Sequence, residues 1–293
     1  MSSKSYINFN GALKPADQPV LTVDNRAFRY GDALFETIRY HKGVALFFHD
    51  HHKRLTRGLD ILMMDAAALP SSDELQKQIT ALVVKNSIFK DARIRLTVFR
   101  SGAGLYTPET NSVSYLIEAS PLDNEFYTYN KKGLLIGVFD KYHKPVLPYS
   151  GFKNANSLLN ILGSIYKKEN NFDDCLILNE KGKIIEALSS NLFWIKNNTV
   201  FTPSTASGCV DGIMRKQVIK TIARSEMEIK ETQGTAPEEL FYADEVFITN
   251  SIQGIQRVVG IGDKRYYSFK TKKIFTLMTE NIRQMLEEDE TGS

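Results

Sequence analysis

Lys153 and Glu186 are the residues whose surroundings most clearly suggest chemistry. Lys153 stands in FKNANSLLNILG, just ahead of an apolar helical run, and Glu186 ends a predicted strand in GKIIEALSSNLFW. One helix and one β-hairpin separate them, so compact packing can bring amine and carboxylate into a single pocket. A pair so placed could serve a pyridoxal phosphate (PLP) cofactor. The amine would form the Schiff base, and the carboxylate would keep the pyridine nitrogen protonated. A lysine ahead of an apolar helix face is expected to be partly desolvated, which favours the neutral, nucleophilic amine. The competing readings are an ordinary surface lysine, one of 37 basic residues, and an edge carboxylate of a polar turn.

A phosphate would need its own partners, and three segments offer them. Arg54, in HHKRL, carries the planar fork of donors that suits a phosphate; taken alone it also reads as a solvated helix arginine. DGIMR (Asp211 to Arg215) places glycine at a loop-to-helix junction, where free backbone N–H groups make an anion site, although many such junctions bind nothing. In ITNSI (Ile248 to Ile252), Asn250 and Ser251 follow a strand and could donate to the same phosphate, or could simply form a strand-terminating turn. The run HDHH (His49 to His52) invites a metal, but adjacent helical residues point about 100° apart, so a helix N-terminus is expected and no metal site. The loop SGAG (Ser101 to Gly104) lacks GxGxxG spacing and a following helix; a flexible loop near the substrate is expected.

These groups need elements to position them. Tyr6 to Phe9 reads as a strand turning at Asn10-Gly11. Ala33 to Tyr40 and Val44 to Phe48 read as two more, with His41-Lys42-Gly43 between them. Asp50 could cap a helix carrying Leu55, Leu59 and Leu62. Ser71-Ser72-Asp73 precedes another, with Leu75, Ile79, Leu82 and Val83 at helical spacing. Ala92 to Phe99 and Ser112 to Ala119 are β-branched strands. Residues 1–120 therefore form a small α+β domain, and the polar, aromatic stretch 121–133 an interdomain connection. The larger domain, 134–293, carries Lys153. It opens on a strand, Leu134 to Phe139, and continues with a helix placing Leu158, Leu162, Ile165 and Tyr166 on one face. Two hairpins follow, 175–186 and 192–202, then a helix from Gly212 towards Arg224, a strand at Glu245 to Thr249, and a closing helix from Lys272 to about Glu288.

Composition narrows the function classes. The charge of +3 gives no reason to expect nucleic acid or an anionic membrane as partner. The two cysteines, Cys175 and Cys209, form no CxxC and no disulfide framework. The start MSSKSYINFNG lacks a basic region followed by an apolar one, and no apolar stretch approaches the ~20 residues of a membrane span. A reduced, cytoplasmic setting is expected.

The ordered set DNRAFRYGDALFETIR (Asp24 to Arg39), HHKRL, FKNANSLL, DDCLILNEKGKIIEALSSNLFWI, TPSTASGCVDGIMR and ADEVFITNS resembles the class IV aminotransferases over nearly the whole chain. The resemblance implies an α+β, two-domain PLP fold of type IV, like the D-amino acid and branched-chain aminotransferases, and a homodimer acting on a small amino substrate. It implies Lys153 as Schiff-base lysine and proton shuttle, Glu186 on the pyridine nitrogen, and Arg54 on the phosphate. Ile213 and Met214 would give backbone N–H groups and Ser251 a hydroxyl, beside Asn250. Tyr30 and Arg39 would border the substrate, with Arg95 and Arg100 available for its anionic groups. Lys153 with Asn156, SNLFW, GIMR and Asn250 are similar to the aminodeoxychorismate lyases. FETIR is also common in transaminases. The tyrosine of branched-chain enzymes five residues past the lysine is Leu158 here, and Leu105 stands where lyases carry an arginine. Lyase chemistry is therefore expected ahead of amino-acid transamination. A non-catalytic binding protein on the same scaffold is the alternative of another class.

Overall fold

The computed structural model describes residues 5–291, so Met1 to Lys4 of the leader reading lie outside the described residues. The chain divides into two compact units: residues 1–126 with Phe152–Asn156, and residues 127–151 with 157–293. Among the described residues no helix is long and apolar enough to cross a membrane.

The first unit contains β1 (Tyr6–Phe9), β2 (Ala12–Pro15), α1 (Arg26–Tyr30), β3 (Ala33–His41), β4 (Val44–Ala45), α2 (Phe48–Ile61), α3 (Ser72–Lys85), β5 (Ala92–Arg100) and β6 (Val113–Pro121). Asn10 and Gly11 take positive φ between β1 and β2, the turn that an Asn-Gly pair favours in a hairpin. The sheet order is β2-β1-β6-β5-β3-β4. Its two faces differ because side chains alternate along a strand. Ile38, Ile94 and Leu96 are buried with Leu55 and Leu59 of α2 and Leu75, Ile79 and Leu82 of α3. Phe35, Thr37, Arg95 and Thr97, in register across β3 and β5, are half-buried. The expected strand 44–48 stops at Ala45. Phe47 takes φ 56° and begins α2 without a side-chain cap, so Asp50 sits in the first turn, where a carboxylate favours the helix dipole, rather than at the cap. The five-residue α1 was too short to show a period.

The second unit contains β7 (Leu134–Lys144), α4 (Leu158–Glu169), β8 (Asp174–Asn179), β9 (Ile184–Ala187), β10 (Asn191–Lys196), β11 (Thr199–Pro203), α5 (Ile213–Ala223), β12 (Glu228–Thr232), α6 (Pro237–Leu240), β13 (Glu245–Asn250), β14 (Gly254–Ile261), β15 (Lys264–Arg265) and α7 (Phe269–Thr291). The strand order is β12-β11-β10-β13-β14-β7-β8-β9, and β9 pairs again with β10. The ladder thus closes on itself, leaving no open edge among the strands from β10 round to β9. Glu186 and Asn191 are the residue pair at the closure. Leu176, Ile184, Leu192, Val246, Ile248 and Val258 fill the core.

Two expectations change. Lys153 groups with the first unit, not the larger one, because its carbonyl accepts the Phe35 N–H at 2.8 Å and Ala155 N–H donates to Ala33 at 3.0 Å, docking the segment on β3. Most of the α4 stripe is not buried: Leu158 is 74% exposed, Leu162 42% and Ile165 50%. The helix packs through Tyr166, the last residue of that stripe, and Leu159 onto Phe139, Cys175 and Ile177.

Candidate active site

In the first unit the amine and the guanidinium are set by β3 and α2. Lys153 is half-buried, its Nζ 5.0 Å from the centre of the Phe35 ring. Arg95 lies 3.8 Å from that ring and 3.9 Å from Glu118. One residue along β3, on the opposite face, Glu36 is buried and receives Arg54 Nε at 2.8 Å, Arg54 Nη2, and His51 Nδ1 at 2.6 Å. This side-on grip fixes the plane of the Arg54 fork. Burial by itself would push the Glu36 carboxyl up, but Arg54 and His51 overcome it and hold the group down at about 2. Burial pushes His51 down, against Glu36, and the charges of Arg54 and Lys153 push the same way. His51 Nε2 is buried with no hydrogen-bond partner, an uncommon state for a buried polar atom.

In the second unit a carboxylate and an anion cradle are organised around Asn191. Glu186, 5% exposed, accepts from Lys144 Nζ at 2.6 Å and from Val210 N–H at 2.8 Å. Asn191 faces Glu186 on β9 and Thr249 on β13, and its amide donates to the Val210 carbonyl at 2.8 Å. Gly212 follows as the N-cap of α5, with no side chain to cap the first N–H groups, those of Ile213 and Met214. A Cβ at Gly212 would lie 1.8 Å from Asn191 Oδ1, so only glycine fits this approach. The N-terminus of α5 and its dipole suit an anion. At the end of β13 the Thr249 hydroxyl is buried and unpartnered. These groups fit a phosphate and a protonated ring nitrogen.

Other expected residues take structural tasks. Arg39 is buried against Asp91 at 2.6 Å and donates to the carbonyls of Asn124 and Phe126; it braces the end of the unit. Arg100 is also buried, committed to Asp32, Asn111 and the carbonyls of Leu62 and Met63, whereas Arg95 is half-buried. Asn250 forms the turn itself: its Oδ1 accepts from Ile252 and Gln253, and its Nδ2 donates to Ser190. Ser251 follows it, its carbonyl held by the Tyr127 hydroxyl at 2.8 Å. Tyr30 packs on Tyr106 at 5.6 Å. The 101–104 loop, expected to be flexible, is held at its end and just beyond: Arg26 donates to the carbonyls of Gly104, Leu105 and Tyr106. Asn156, the lyase-like asparagine, closes against Gly31.

Sequence reasoning missed Glu36, His51, Asn191 and Lys144. Glu36 had a signal: a lone charge at a core-facing position of an alternating strand. His51 lay in the HDHH run; among the described residues no group of three potential ligands could hold a metal. Lys144 and Asn191 had none, since their partners come from other strands and loops.

The architecture is a mixed α/β PLP fold of type IV. The T.th. branched-chain amino acid aminotransferase, solved with pyridoxamine 5′-phosphate, superposes with a TM-score of 0.83 over 95% of this chain and 94% of that one, at 21% identity. The family described as Amino-transferase class IV matches residues 33–261. This chain therefore belongs to the class IV aminotransferases and is a PLP-dependent enzyme of that family. It is 27% identical to the aminodeoxychorismate lyase of Bacillus subtilis (strain 168), over 96% of each chain. It is 28% identical to the branched-chain-amino-acid aminotransferase of Escherichia coli (strain K12), over 86% of this chain and 84% of that one.

Proposed function

We propose that this enzyme is a 4-amino-4-deoxychorismate lyase, releasing pyruvate and leaving 4-aminobenzoate for folate synthesis. The observation that carries the lyase reading is Leu158. Branched-chain enzymes place a tyrosine there; here the side chain is aliphatic, 74% exposed, and offers no hydroxyl to a reacting group. The amino-acid transaminase reading is kept by FETIR and by the near-equal identity to the E. coli enzyme.

PLP, when bound, supplies the electron sink for charge left on the amine-bearing carbon. Lys153 is the amine that would hold the coenzyme, and the same amine would remove and return the substrate proton. Glu186 holds the ring nitrogen's proton. Arg54, aimed by Glu36 in the first unit, and, in the second, the first N–H groups of α5 with Ser251 are the groups that would hold a phosphate. Arg95, half-desolvated on Phe35, takes a substrate carboxylate. Purified enzyme given 4-amino-4-deoxychorismate should yield pyruvate and 4-aminobenzoate. With a 2-oxo acid supplied as amino acceptor, a new amino acid and the donor's 2-oxo acid from L-leucine or D-alanine, with no 4-aminobenzoate from 4-amino-4-deoxychorismate, would reverse the order of the two readings. The exposed apolar stripe Leu158, Ile161 and Ile165 on α4 supports a homodimer as the working form; sedimentation at the mass of one chain would end that part.

A further inference from the structure

The carboxylate assigned to the ring nitrogen already has a cation. Lys144 Nζ stands 2.6 Å from Glu186 Oε1, with side chains 18% and 7% exposed. Lys144 is firmly placed. It ends β7 in register with Asn179 of β8, and its carbonyl accepts the Glu180 N–H at 3.1 Å. Its ammonium also reaches the Ser150 carbonyl at 3.4 Å. The turn that presents this carbonyl is pinned in turn: Ser150 Oγ accepts from Leu147 N–H and donates to Pro145, and the next carbonyl, Gly151, accepts from Asp211 N–H at 2.9 Å.

The other oxygen, Oε2, is held by Val210 N–H, so the carboxylate keeps its direction without help from Lys144. The neighbouring thiol, Cys209, adds no charge: burial, then Glu186, pushes it up to about 12. Arg215, also near Cys209, is committed to Glu231 and the Pro203 carbonyl. What Lys144 supplies is therefore charge more than aim. A buried carboxylate without a cation is costly, and a carboxylate shared between two cations attracts each of them less.

We propose that Lys144 sets the strength of Glu186 as a partner for the coenzyme's ring nitrogen, pairing the carboxylate before the coenzyme arrives and weakening its hold on the ring proton afterwards. This rests on the reading of Glu186 as the ring-nitrogen partner. Lys144 is a positioning and charge-setting residue; it need not touch the substrate.

The test uses holoenzyme reconstituted with PLP carrying 15N at the ring nitrogen. Lys144→Met should move the 15N signal towards the protonated ring and raise the pH at which that proton is lost by about one unit, tenfold in acidity. Lys144→Arg should stay near the wild type. In Glu186→Gln, adding Lys144→Met should change nothing further, because the shared anion is gone. Without coenzyme, Lys144→Met should melt below the wild type and gain more on adding PLP. Lys144→Gln, neutral but still able to hydrogen-bond, replaces it if the methionine variant does not fold. A Lys144→Met signal identical to wild type, or moved towards the unprotonated ring, overturns the proposal. If Glu186→Gln alone leaves the 15N signal unchanged, the assignment of Glu186 fails instead.

Discussion

Lys153→Ala should abolish the visible absorption near ~410–420 nm that a lysine-bonded coenzyme gives, and should lower turnover by at least ~10²–10⁴-fold, the range for losing a positioned proton carrier. The substitution keeps the backbone contacts that dock the segment on β3. The carbonyl bonded to Phe35 and the neighbouring Ala155–Ala33 bond are kept by alanine. The variant should therefore melt close to the wild type while losing its colour. Absorption spectra of both proteins after added PLP make the comparison. A band that survives in Lys153→Ala would remove the lysine from its role and leave the family's chemistry without its amine in this chain.

Glu36→Ala should cost about 3–5 kcal/mol of stability, the usual loss when one partner of a buried ion pair is removed. It would strand the Arg54 guanidinium and the His51 Nδ1 proton together. It should also weaken PLP binding, since the fork on Arg54 loses the carboxylate that orients it. Acid should reproduce part of this effect in the wild type, and the sign follows from both groups. His51 is held below its ordinary 6.5 in the fold, so on acidification the unfolded chain takes up that proton first and stability begins to fall below about pH 6.5. Glu36 is held at about 2 against an ordinary 4.5. Its contribution is complete above pH 4.5 and is lost as pH falls from there towards 2. Urea unfolding of wild type and Glu36→Gln between about pH 7 and about pH 3 would separate the two stages, because the glutamine variant lacks the lower one. Equal stability of wild type and Glu36→Ala at neutral pH would show that the Glu36 cluster contributes nothing net.

The sequence made the groups legible and left their supports obscure, for a physical reason. Lys153, Glu186, Arg54, Ser251 and the start of α5 lie in local patterns, a strand end or a helix start, which nearby residues specify. The groups that hold them are long-range. Glu36 and Arg54 are 18 positions apart, and Lys144 and Glu186 are 42 apart; no local period records such a meeting. The same limit hid the partners of Arg39 and Arg100. Each reads as an available cation until Asp91 or Asp32 is seen beside it. The α4 stripe shows another limit: helical spacing reveals an apolar face but not what covers it, and in this chain that face is exposed. The closing bridge between β9 and β10 had no signature beyond two ordinary hairpins.

The segment Phe152–Asn156 completes the first unit although 25 residues of the second, 127–151, precede it in the chain. On a translating ribosome the strip that docks on β3 emerges only after those intervening residues, a lag on the order of seconds at ordinary elongation rates. During that interval β3 waits without its last partner, and Leu34, 2% exposed in the finished protein, lacks Asn154 beside it. The nascent chain thus cannot finish its first unit before the second has begun to emerge, and the amine arrives on the piece that ends the wait.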